Sequence, residues 1–154
     1  MGHNDKFNLL SLNVRGIRTF EKRKAVFSWL VNSGDDIFFL QETYSTGDIE
    51  NIWRKQWKGE MFFLHGSNHS RGVLVLIRDN LEFKINSTKV DSQGRYSFLE
   101  AYIQDSPYFL LNIYAPKKCS KTISLLQRRI GYSKRCKSGT RSPIYSRWGL
   151  QYHS

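Results

Sequence analysis

The spacing of apolar positions changes character once along this chain. In "KFNLLSLN", Lys6 to Asn13, a short apolar run predicts a buried strand, and Gly16 then breaks it. In "TFEKRKAVFSWLVNSG", Phe20, Phe27, Leu30 and Val31 recur near helical spacing, with Thr19 placed to cap the start and Gly34 to stop the end. "DIFFLQE" is continuously apolar, as a strand covered on both faces would be. "GDIENIWRKQWKG" then sets Ile49, Ile52, Trp53 and Trp57 on one face of a second helix.

Beyond that helix the period falls from the helical 3.6 to the strand value of 2. "MFFLHG", "GVLVLIR", "EFKINST", "YSFLEAYIQ" and "YFLLNIY" read as strands, separated by "SNHSR", "DN", "DSQG" and "DSP", which are turn chemistry. The sum is β-α-β-α followed by mostly antiparallel strands, an α/β arrangement with more sheet than one layer can hold. There is no internal repeat. After Pro116 the periodicity fades, with only the hint of a helix from Ile123 to Ile130.

Composition adds bounds to this picture. With 154 residues, 40% hydrophobic and 14% aromatic, the chain has enough apolar material for one core. No stretch approaches the ~20 apolar residues of a membrane span, and no charged segment followed by a long apolar run opens the sequence. The expectation is a soluble, intracellular protein of nucleus or cytoplasm, without membrane contact. Cys119 and Cys136 fit no metal-ligand spacing and are expected to stay reduced thiols.

The net charge of +11 suggests nucleic acid until its distribution is read. Residues 1–116 hold 14 Lys and Arg against all 13 Asp and Glu, whereas residues 117–154 hold the other 10 basic residues and no acid. The basicity belongs to the tail. Residues 1–118 are therefore expected to form the folded part, and 119–154 a basic tail that is out of frame or disordered.

Chemistry-bearing residues recur at predicted strand ends: Asn13 with Arg15, Glu42, Arg71 ahead of "GVLVLI", and Asn112 with Tyr114 in "NIYAP". A lone carboxylate at a strand end suits Mg²⁺, which keeps several waters and takes one or two protein carboxylates plus phosphate oxygens. An amide can orient a phosphate without adding charge, and a phenol can donate to a phosphate oxygen that gains charge. Each of these residues singly also has a plain reading, as a solvated carboxylate, a turn former or a packed ring.

The stretches "LSLNVRGI", "DIFFLQET", "RGVLVLI", "GRYSFLEAYI" and "LLNIYAP" occur in an order and spacing that resembles the endonuclease/exonuclease/phosphatase superfamily, most closely the apurinic-type endonuclease domain of LINE-type retrotransposons. The resemblance runs from Phe7 to Pro116. It implies a four-layer α/β/β/α sandwich, incomplete here, with the site at one edge of two packed sheets and Mg²⁺-dependent cleavage of DNA. By resemblance, Asn13, Glu42 and Tyr114 are the catalytic residues and Glu42 the metal ligand. Arg15, Arg71, Arg95 and Asn112 are the residues expected to face nucleic acid. His3, His65 and His69 match no role and read as solvated loop residues.

The second half of the family pattern is absent: the sequence contains neither "GDFN" nor a closing Asp-His pair. One set of synonymous codons for "RWGLQYHS", read one base forward, spells "DGDFNII", so a frame change is expected near Ser120. The functional expectation is a DNA endonuclease by descent, incomplete and inactive as this chain stands, with DNA as partner and no obligate protein partner. The alternatives are a fragment that binds nucleic acid non-specifically through its basic tail, or a related phosphatase.

Overall fold

The computed structural model describes residues 6–91 and 96–114. Arg95, Pro116 and the tail from residue 119 lie outside them. Strand β1 (Leu9–Asn13) leads through helix α1 (Phe20–Asn32) to strand β2 (Ile37–Gln41). A 3₁₀ turn (Gly47–Ile49) and a five-residue helix, α2 (Glu50–Arg54), precede strands β3 (Gly59–Leu64) and β4 (Val73–Arg78). Strands β5 (Phe83–Val90), β6 (Tyr96–Ile103) and β7 (Ser106–Ile113) follow.

These strands form two sheets, one in the order β1-β2-β4-β3 and one in the order β5-β6-β7. β1 and β2 are parallel, with Leu9 opposite Ile37 and Asn13 opposite Gln41, while every other pairing is antiparallel. A parallel pair needs a crossover, and α1 is that crossover.

β2 is buried at all five positions because both of its faces are covered. Phe38 and Leu40, with Leu74 and Leu76 of β4, pack against Phe27, Leu30, Trp53 and Trp57. Ile37 and Phe39, with Val75 and Ile77, pack instead against Leu99, Ile103 and Leu110 of the second sheet. The layers are thus helix, sheet, sheet. On the outer face of the second sheet Phe98 and Phe109 stack at 5.6 Å, and Phe109 and Tyr102 stay exposed. No helix among the described residues covers that face, so among them the four-layer sandwich is incomplete.

Several local readings of the sequence change in the structure. Phe20, Val31 and Ile52 are each about half exposed. The strip α1 buries is narrow, and α2 makes barely more than one turn, so helical spacing overstated both faces. The buried face of α1 also holds Arg23, whose guanidinium donates to the carbonyls of Ile17 and Arg18 and to Gln56 Oε1, and lies 5.1 Å from the Trp53 ring centre. Thr19 precedes α1 in extended backbone but makes no side-chain capping bond. The β6–β7 turn is Gln104–Asp105, both with positive φ, as a two-residue hairpin requires.

Candidate active site at the strand-end rim

The carboxyl ends of β1, β2 and β7 and the start of β4 lie at one end of the two sheets, and backbone bonds stitch the segments that leave them. Val14, Gly16 and Ile17 donate to the carbonyls of Gln41, Glu42 and Thr43. Thr43 and Tyr44 in turn donate to the carbonyls of Gly72 and Arg71. Three segments distant in sequence form one rim.

Four non-glycine residues on this rim have left-handed backbone: Arg15 (φ 48°), Glu42 (φ 54°), Tyr44 (φ 58°) and Arg71 (φ 64°). Such conformations cost on the order of 1–3 kcal/mol each and persist only where the surroundings over-determine them, which is commonest at functional sites. At Glu42 the left-handed turn follows the last residue of β2 directly, so the side chain leaves the alternation of the strand.

The structure brings most of the expected residues together. Asn13, exposed at the end of β1, accepts a hydrogen bond from the backbone of Arg15 on its Oδ1 at 3.1 Å. It stands opposite Gln41 in the ladder, beside Glu42. Tyr114 lies just past β7, where the Glu42 carboxylate bears on its phenol. Burial, followed by the Glu42 charge, pushes the Tyr114 phenol above its ordinary range, and the Arg71 cation opposes the shift. Arg15 and Arg71 are exposed on the same rim.

Asn112 requires a correction. It is 1% exposed, between the sheets, and its amide donates to the carbonyls of Leu40 and Leu74 while its Oδ1 accepts from Gln41 Nε2 at 2.8 Å. From there it reaches no nucleic acid; it ties the second sheet to the first directly beneath Glu42. Arg95 lies outside the described residues.

Two rim residues escaped the sequence reading. Tyr44 extends its hydroxyl to 3.5 Å from Glu42 Oε2, and its ring lies over Gly16, where a Cβ would come within 2.5 Å of Tyr44 Cδ2. The spacing of Gly16 after the strand was the available signal, but nothing in one sequence tells which ring needs the gap. His65 is the other. Half buried, it joins Ser45 Oγ to Glu50 Oε2, both at 3.1 Å, rather than standing in solvent.

No group of three or more His, Cys, Asp or Glu able to enclose a metal occurs among the described residues. Zinc-like cages are not what this rim offers. A single carboxylate beside an amide is a hard oxygen donor set, which fits Mg²⁺ completed by water and phosphate oxygens. No helix among the described residues is long and apolar enough to cross a membrane.

No family model matches the chain. The Transposon TX1 uncharacterized 149 kDa protein of Xenopus laevis is 34% identical over 109 residues, 71% of this chain and 8% of that protein. The structure of TDP2 from C. elegans superposes with a TM-score of 0.54 at 19% identity, over 80% of this chain and 44% of that one. Humanized D. rerio TDP2 gives 0.58 at 14% identity, over 82% and 62%. The chain therefore spans less than two thirds of each of these relatives.

Two packed sheets whose strand ends gather Asn13, Glu42 and Tyr114 give this chain a fold similar to that of the TDP2 structures. Its kinship in sequence is with a transposon protein.

Proposed function

We propose that this domain is by descent a metal-dependent DNA endonuclease of a LINE-type retrotransposon, and that the 154-residue chain holds only part of its machinery. The observation that carries the reading is the meeting of Asn13, Glu42 and Tyr114 on one rim, with Tyr114 coming from the other sheet under the influence of the Glu42 charge. The transposon relative favours DNA over the small phosphate esters of a related phosphatase.

Glu42 would hold Mg²⁺, which when bound supplies positive charge to the phosphate oxygens. Tyr114, with its phenol held protonated above the ordinary range, is kept as a hydrogen-bond donor on that same rim. Asn13 offers an amide for orientation, and Arg15 and Arg71 offer charge to the phosphates on either side. The groups that the resemblance assigns to the attacking water and the scissile phosphate belong to the "GDFN" and Asp-His motifs, which this sequence lacks. General acid-base groups and charge-stabilising donors each contribute roughly 10²–10⁴ and 10²–10³ in rate, so the chain by itself should leave DNA essentially uncut.

The test is duplex binding and nicking measured together on the 154-residue chain. Fluorescence anisotropy with a labelled duplex is expected to show tighter binding in Mg²⁺ than in EDTA, a difference that Glu42→Gln removes. Supercoiled plasmid is expected to stay uncut. Affinity indifferent to both Mg²⁺ and Glu42→Gln would sink the endonuclease reading. Nicking that stops with Glu42→Gln would show instead that the machinery is complete enough to work.

A further inference from the structure

We infer that Tyr44 is a positioning residue for the metal carboxylate: its hydroxyl and its ring, seated on Gly16, fix the orientation in which Glu42 meets a divalent cation. The inference rests on the reading of Glu42 as the cation ligand and adds to it a residue that the motif comparison left unassigned.

Three observations converge on Tyr44. Its backbone is left-handed at φ 58°, a conformation that an aromatic residue adopts rarely and at a cost, immediately after another left-handed residue two positions earlier, Glu42. Its ring occupies space that only a glycine leaves open, since a Cβ at position 16 would lie 2.5 and 2.7 Å from two of its ring carbons. Its hydroxyl ends 3.5 Å from Glu42 Oε2, within hydrogen-bond reach of the carboxylate.

The loop is braced from behind so that this arrangement is not free to swing. Tyr44 N donates to the carbonyl of Arg71, and the carbonyl of Tyr44 accepts from Arg18 Nη1 at 3.2 Å. Next to it, fully buried Ser45 bonds Thr43 Oγ1 and His65, and His65 reaches Glu50. A ring used only as packing has no need of a hydroxyl directed at the carboxylate. Groups bonded to a metal ligand, but not to the metal, set ligand orientation and basicity, and their loss costs about 10–100-fold in metal affinity.

Mn²⁺ is the probe, titrated into the intact chain and followed by water-proton relaxation, with thermal melting of each variant alongside. Tyr44→Phe keeps the ring on Gly16 and removes only the hydroxyl; it is expected to weaken Mn²⁺ binding about tenfold with an unchanged melting midpoint. Gly16→Ala keeps the hydroxyl but displaces the ring that carries it away from Glu42; it is expected to weaken binding at least as much. Glu42→Gln is expected to abolish uptake. If Glu42→Gln abolishes uptake while Tyr44→Phe binds like the parent, or if Tyr44→Phe loses affinity only in step with a lower melting midpoint, Tyr44 has no positioning role and the reading of Glu42 stands. If the parent takes up no Mn²⁺, or Glu42→Gln takes it up equally well, the reading of Glu42 fails and the role of Tyr44 with it.

Discussion

Tyr114 and Glu42 leave different sheets, and the carboxylate of one raises the phenol pKa of the other. This makes Tyr114 a reporter of the charge on Glu42. Burial and the carboxylate both raise the Tyr114 phenol, so Glu42→Gln is expected to bring its pKa down toward the ordinary tyrosine range while the burial contribution remains. Tyrosine labelled at Cζ with ¹³C and titrated by NMR reads this directly. A Tyr114 titration unmoved by Glu42→Gln would show that the two side chains do not meet in solution.

Asn112 should matter for stability rather than for DNA contact. Asn112→Ala leaves the buried Gln41 amide without the Asn112 acceptor and removes two bonds to the first sheet. Groups left unsatisfied in a core cost about 1–3 kcal/mol apiece, so a loss of roughly 2–3 kcal/mol is expected in urea unfolding. Duplex affinity per folded molecule should be unchanged.

The exposed rim arginines should behave in the opposite way. Arg15→Ala and Arg71→Ala are each expected to leave stability within about 0.5 kcal/mol while lowering the salt dependence of duplex binding by about one unit of slope. An unaltered slope in both would place the DNA path elsewhere. Anisotropy across a salt series measures it.

Glu50 predicts an acid limb. Burial opposes its ionisation, but hydrogen bonds from Arg54 and His65 and their charge outweigh burial and hold the carboxyl below its usual range. A carboxyl depressed in the folded chain contributes stability that is complete above its ordinary unfolded range and is lost as pH falls through the folded value. The melting midpoint should therefore drop below about pH 4.5, and Glu50→Gln should flatten that drop. A parent curve and a Glu50→Gln curve that run parallel through this window would remove Glu50 from the account.

The DNA that encodes the tail offers a direct check on the frame-change expectation. A reading one base forward from the region of Ser120 should be open and should pass through "GDFN". A stop codon before that motif would refute it. The tail itself lies outside the described residues, and its charge remains a matter of sequence.

Much of the fold was legible because its strands announce themselves twice over. "IFFLQ" and "VLVLIR" are apolar without interruption, and they proved to be the central strands with a layer on each face. "YSFLEAYI" alternates, and its inward side alone is buried. The helices were less legible: the buried strip of α1 includes Arg23, a cation satisfied by carbonyls and a Trp ring that no apolar pattern registers. At the rim, Asn13, Glu42 and Tyr114 were expected from the motifs that contain them, and the structure sets them at one edge. Tyr44 and His65 were not, because each acts through a partner far along the chain, Gly16 for one and Glu50 for the other. Asn112 was placed on the wrong side of the boundary between core and solvent, since a polar letter at a strand end says nothing of which way it points.

The left-handed residues of the rim cost the molecule stability. Arginine, glutamate and tyrosine are held there in geometry that glycine or asparagine would adopt with less strain. Glycine or asparagine placed at positions 15, 42, 44 or 71 should therefore raise the melting midpoint while giving up the side chain that the rim presents there.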